Sequence, residues 1–135
     1  MRFADTNVLL YSVSTVPEES AKARKAQELL ASRDIVLSVQ VLQEFYVQAT
    51  RASRADALTH GEAAGFIRAW RRFSTQELSL AVLDDALTLK DRFQISYWDA
   101  AIIAAARASG CTEVLSEDLN DGQDYGGVRV VNPFK

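Results

Sequence analysis

The sequence predicts an α/β fold with a small, mainly parallel sheet, and three observations carry that reading. Short apolar runs of strand length recur at Met1–Ala4, Ile35–Leu37, Thr112–Leu115 and Val128–Val131. Stretches of helical periodicity separate them, and strands alternating with helices build a parallel sheet. Ser96–Ala106 is apolar almost all the way round, which marks a buried helix rather than a surface one. A length of 135 residues suits a single domain over 1–135 with a real core.

Taken in order, Met1–Ala4 reads as an opening strand ended by Asp5-Thr6-Asn7. Asp5 has a structural role open to it as a cap or Asx-turn at the strand-to-helix junction. Val8–Tyr11 continues as a helix or extended run. Pro17-Glu18-Glu19 puts a proline and two acids where a helix begins. That helix runs to Ser32, with Ala23, Ala26, Leu29 and Leu30 inward and Lys22, Arg24 and Lys25 solvated. Asp34 leads into the strand Ile35–Leu37, and Ser38 caps a helix from Val39 to about Arg51. Its main stripe is Leu42, Phe45, Tyr46 and Ala49, so periodicity turns Glu44 toward solvent, although Val41 and Val47 flank it.

Arg51–Gly61 reads as a polar loop whose lone His60 has no visible partner. Glu62–Phe73 follows as a helix with Phe66, Ile67, Trp70 and Phe73 inward and Arg68, Arg71 and Arg72 solvated. Thr75–Leu78 is a further strand. Ala81–Phe93 is an amphipathic helix with Leu83, Leu87 and the stem of Lys90 packed down. Gln94-Ile95 links it to the Ser96 helix, which stops at Gly110. The strand Thr112–Leu115 closes at Ser116-Glu117-Asp118, Asn120-Asp121-Gly122 is a turn, and Val128–Val131 is the last strand.

Composition narrows the function classes. Hydrophobic content of 48% with 24% charged residues is that of an ordinary globular protein. No apolar run approaches the ~20 residues of a membrane span, and Met1–Asp5 carries no secretory apolar stretch. The single Cys111 excludes an intrachain disulfide and suits a reducing cytoplasm. A net charge of −3, from 15 basic and 18 acidic residues, lacks the basic signature of a nucleic-acid binder. Acids gathered to hold cations would produce that count on an otherwise balanced surface.

Four acids form a candidate constellation. Asp5 follows the first strand, Asp118 follows Val114-Leu115, Asp99 opens the buried helix, and Glu44 rides on the helix after Ile35–Leu37. In open parallel sheets, ligands bind beyond the carboxyl ends of the strands. Ser96-x-x-Asp99 also imitates a capping box, so Asp99 alone decides nothing. Carboxylates gathered without His or Cys are oxygen donors for a hard cation such as Mg²⁺ or Mn²⁺. Nucleotide-binding glycine loops are absent, as is a Gly-x-Ser-x-Gly elbow. Asp118–Arg129 fails as a calcium loop because its glycine stands fifth and its twelfth residue is Arg129.

Asp5-Thr6-Asn7-Val8-Leu9, Val41-Leu42-Gln43-Glu44-Phe45, Tyr97-Trp98-Asp99-Ala100-Ala101-Ile102 and Leu115-Ser116-Glu117-Asp118, in this order, resemble a PIN-domain ribonuclease. They are most similar to VapC-type toxins of type II toxin–antitoxin modules. The resemblance implies a three-layer α/β/α sandwich. It implies that Asp5, Glu44, Asp99 and Asp118 bind one or two Mg²⁺ or Mn²⁺ ions and cleave RNA, with Thr6, Asn7 and Ser116 in support. Asp121 and Asp124 stand close enough to assist or replace Asp118. It further implies a cytoplasmic homodimer restrained by a cognate antitoxin, with no membrane partner. Two rivals remain at this point: a receiver-like Mg²⁺-binding phosphoacceptor domain, and a catalytically inactive PIN fold serving as a binding module. The first needs adjacent acids after the first strand and a Lys after a later one, and the sequence supplies neither.

Overall fold

Six strands form one sheet in the computed structural model, which describes all 135 residues. They are β1 (Arg2–Ala4), β2 (Ile35–Ser38), β3 (Ser74–Gln76), β4 (Glu113–Leu115), β5 (Asp124–Tyr125) and β6 (Val128–Val131). Their order is β3-β2-β1-β4-β6-β5, and every pairing is parallel except β5 with β6. The helices are α1 (Thr6–Ser12), α2 (Ser20–Ala31), α3 (Val39–Ala49), α4 (His60–Trp70), α5 (Leu80–Phe93) and α6 (Tyr97–Ala108). No helix is long and apolar enough to cross a membrane.

Connectivity fixes where a ligand can sit. From β1 the chain steps outward through α1 and α2 to β2, then through α3 and α4 to β3. It returns across the sheet through α5 and α6 to β4, on the other side of β1. Right-handed crossovers therefore put α1–α4 on one face and α5–α6 on the other. The two windings diverge between β1 and β4, and the crevice at their carboxyl ends is the natural binding position.

The α6 reading holds. Every residue from Ala100 to Ala106 is buried, and the helix packs against α5 as well as β2, β3, β4 and β6. Small side chains let these backbones approach closely. One cluster of 33 buried apolar residues, including Phe3, Val36, Phe45, Ile103 and Val114, fills both sides of the sheet.

Several expectations need correction. Pro17–Glu19 is a 3₁₀ turn, and the helix proper begins at Ser20. α4 begins at His60 because Thr59 and Glu62 close a reciprocal capping box two residues earlier than expected, and it ends at Trp70, leaving Phe73 outside. His60 does have a partner: its Nδ1 shares a 2.8 Å hydrogen bond with the Tyr46 hydroxyl. On α5 the buried stripe is Val82, Ala86 and Leu89, while Leu83, Leu87 and Lys90 are exposed. A short β5–β6 hairpin, not anticipated, turns on Gly126 and Gly127 at φ of 64° and 97°, a conformation that favours glycine.

Candidate active site

Asp5 caps α1 directly after β1. Its backbone N–H donates to the Leu115 carbonyl at 3.0 Å, tying the end of β1 to the end of β4. The side chain is buried, and both oxygens are engaged: one accepts from the Thr6 N–H at 2.7 Å, the other from the Ser116 hydroxyl at 2.7 Å. Burial pushes the Asp5 carboxyl up to about 6. The two hydrogen bonds oppose that shift, and the neighbouring charges of Glu44 and Asp118 add to it. No cationic side chain bonds to it.

Ser116, itself fully buried, is the hub of the crevice. Besides donating to Asp5, its hydroxyl accepts from the Asp118 N–H at 3.1 Å and from Asn7 Nδ2 at 3.3 Å. The same Asn7 amide donates to Asp118 Oδ2 at 3.2 Å. Asn7 Oδ1 is buried with no partner, an unmet acceptor at the site.

Glu44 does not point to solvent as its periodicity suggested. The buried face of α3 is centred on Val41, Phe45 and Ala49, with Leu42 and Tyr46 only half-buried. That rotation brings Glu44 inward, where it accepts from Gln40 at 2.7 Å and from the Thr6 hydroxyl at 3.2 Å. Gln40 is buried and also donates to the Trp98 carbonyl at 3.4 Å, joining α3 to the start of α6. Sequence reasoning missed Gln40. Its i, i+4 spacing from Glu44 is the signal that could have found it.

Asp99 satisfies half of its capping reading. The Ser96 hydroxyl accepts from the Asp99 N–H at 3.1 Å, but no reciprocal bond closes a box, unlike that of Thr59 and Glu62. The carboxylate faces the crevice instead. Asp5, Glu44, Asp99 and Asp118 all line one cleft of about 90 Å³, together with Thr6, Asn7, Gln48 and the apolar walls of Leu10, Ile102 and Trp98. Asp121 and Asp124 do not line it. Asp121 pairs with Lys135 at 2.9 Å, and Asp124 caps the hairpin through the Gly127 N–H.

The donor set fits a hard divalent cation. Carboxylate, amide and hydroxyl groups face the cleft, no Lys, Arg, His or Cys lines it, and one amide oxygen is unmet. The carboxylates line the walls rather than close on one point, and no three of them gather into a ready-made cage. Protein donors hold Asp5, Glu44 and Asp118 apart. With no lysine in the cleft and Asp5 without an acidic neighbour in sequence, a receiver-like phosphoacceptor site is not formed.

The sequence matches the PIN domain family over residues 2–120. The chain belongs to that family. Among solved structures, a toxin–antitoxin complex from Klebsiella pneumoniae superposes with a TM-score of 0.73 at 20% identity, covering 98% of each chain. VapC20 of Mycobacterium tuberculosis, described as a toxin that cleaves the sarcin–ricin loop, gives 0.68 at 21% identity over 87% of this chain and 92% of its own. FitAcB from Neisseria gonorrhoeae gives 0.66 at 19% identity over 99% of both. These likenesses show a shared PIN fold, α/β with a mostly parallel central sheet. No curated protein matches the chain.

Proposed function

We propose that this PIN domain is a cytoplasmic VapC-type toxin, a single-domain, Mg²⁺- or Mn²⁺-dependent endoribonuclease that works as a homodimer and is restrained by a cognate antitoxin. The observation that carries the reading is the convergence of four acids, from four separate element junctions, on one small cleft without a counter-charge. A structure built for stability alone would not leave a buried carboxylate beside like charges. The fold shared with a sarcin–ricin-loop-cleaving toxin and with toxin–antitoxin complexes supports the substrate class and the antitoxin.

In this reading Asp5, Glu44, Asp99 and Asp118 hold one or two divalent ions. Such an ion, when bound, activates a water and stabilises charge on the phosphodiester. Ser116 and the Thr6 N–H fix Asp5; Gln40 and the Thr6 hydroxyl orient Glu44; Asn7 holds Asp118 over the cleft. Leu10 and Ile102 keep one side of the cleft dry, which strengthens every charge interaction inside it. Purified protein should cut total RNA at mappable ends with Mn²⁺, and EDTA should abolish the cuts. Absence of both cleavage and any specific heat on titration with Mn²⁺ would leave the PIN fold as a binding module.

A further inference from the structure

The chain leaves an unusually large apolar surface on one side. Val47, Leu78, Leu80, Leu83, Leu87 and Trp98 are between 39% and 78% exposed, and of the exposed large hydrophobics only Met1 and Phe66 lie elsewhere. Two grooves connect them beside the β3 edge of the sheet. One, of about 800 Å³, lies between α3, α4 and β3 and includes Val47; the other, of about 380 Å³, holds Leu78, Leu80, Leu83 and Trp98. Gln43 lines both, so the two are continuous, and Leu87 extends the second by one turn of α5.

The six side chains expose on the order of 700 Å² together, more than the few hundred Å² a monomer commonly shows in one patch. It approaches the ~800 Å² that each partner gives to a standard interface. Charge indicates what covers it. Arg71 and Glu77 sit on the same groove, and neither forms an ion pair within the chain. A groove carrying one free charge of each sign matches a second copy of itself, because a two-fold contact sets Arg71 against the other copy's Glu77 and the reverse. A strongly acidic or basic peptide would satisfy one and repel the other.

We infer that this face, from the α3–α4 groove to the leucine stripe of α5, is the contact between two copies of the chain. The inference rests on the homodimer of the functional reading and names its surface. It also ties the assembly to the cleft. Trp98 and Gln40 belong both to the cleft and to the apolar surface, so a copy seated there borders the mouth of each acidic cleft. Dimerisation then extends the surface available to RNA without touching the cation-binding acids.

Light scattering on the full chain tests this. Wild type should run at twice the chain mass, and the double variant Leu83→Glu/Leu87→Glu should run as a folded monomer by circular dichroism. Arg71→Glu alone should weaken the dimer by tenfold or more, and adding Glu77→Arg should restore it. The monomeric variant should keep wild-type Mn²⁺ affinity by calorimetry while its KM for RNA rises several-fold. A dimer that survives both glutamates overturns the assigned face while leaving the homodimer standing. Wild type that is monomeric at all concentrations overturns the homodimer itself and hands the face to a different partner. Failure of the charge swap to restore the dimer overturns the two-fold pairing.

Discussion

The two ends of strand β1 carry acids in opposite circumstances. At the amino end, Asp34 receives two hydrogen bonds from the Arg2 guanidinium, at 2.8 and 3.0 Å, and the same guanidinium bonds Ser32 at 3.1 Å. The Arg2 bond holds Asp34 down at about 2. At the carboxyl end, Asp5 is buried, unpaired and surrounded by further acids, and burial raises it to about 6. One carboxylate serves the fold; the other is tolerated by it. The difference separates a structural end of the sheet from a chemical one, as expected of a sheet whose ligands bind beyond its carboxyl ends.

The largest effect should come from removing charge at the chemical end. Asp5→Asn and Asp99→Asn are expected to lower Mn²⁺-supported RNA cleavage by at least about 10²–10³-fold, the scale of losing one preorganised charge-stabilising group. Both should stay folded, and Asp5→Asn should melt no lower than wild type because it relieves acid repulsion. Full cleavage by both would sink the assignment, whereas unfolding of Asp99→Asn would return that residue to a capping role.

Next in size is the response to the ion. Mn²⁺ at a hundred times its dissociation constant should stabilise wild type by about 2.7 kcal/mol against thermal unfolding. Asp5→Asn and Asp99→Asn should lose most of that shift, and Asp34→Asn should keep all of it. An equal shift in all three would place the ion elsewhere.

The amino end gives the converse. Asp34→Asn is expected to cost roughly 1 kcal/mol or less, because the pair is partly solvated, with cleavage unchanged. The two ends should also titrate in opposite senses. Asp34 has a depressed pKa, so its contribution is present above its unfolded value near 4 and fades as pH falls toward about 2. Asp5 has a raised pKa, so its neutral form favours the fold below about 4. That advantage is lost as pH rises through about 6. Metal-free melting curves of wild type, Asp5→Asn and Asp34→Asn between pH 3 and 7, pH values spanning both transitions, separate the two contributions.

How much of this could be read in advance depended on whether tertiary packing had a choice to make. Asp5 and Asp118 follow short apolar strands, so their place at the carboxyl edge came with the strands. Ser96–Ala106 has no polar face to orient, so its burial was unambiguous. On α3, a rotation of about one residue decides whether Glu44 meets water or the cleft, and only packing of Val41 and Phe45 sets it. On α5, Val82-Ala86-Leu89 and Leu80-Leu83-Leu87 are both apolar stripes; the one bearing Ala86 faces alanine-rich α6, and the other is left outside. The β5–β6 hairpin has only two residues in its first strand, too few for a period to register. Asp99 had two readings, and its backbone and carboxylate take one each.

Glu117 sharpens the comparison because it lies at the chemical end yet is paired. It stands between Ser116 and Asp118, but it turns away from the cleft. There it accepts from the Tyr11 hydroxyl and from Lys22 Nζ at 3.1 Å, while Lys22 also reaches Tyr11 Oη at 3.2 Å and lies 4.9 Å from that ring. Tyr11 is one helical turn beyond Asn7 on α1, so the same helix grips both sides of the 116–118 loop. Lys22 was expected to be merely solvated, and here it acts as a clamp. If pairing rather than position separates the structural acids from the chemical ones, Lys22→Met should cost only about 0.5–1 kcal/mol of stability, as a partly exposed pair does. Cleavage should fall a few-fold at most, through a looser Asp118, and Lys22→Arg should restore it. A loss as deep as that of Asp5→Asn would instead put Glu117 among the groups that perform the chemistry.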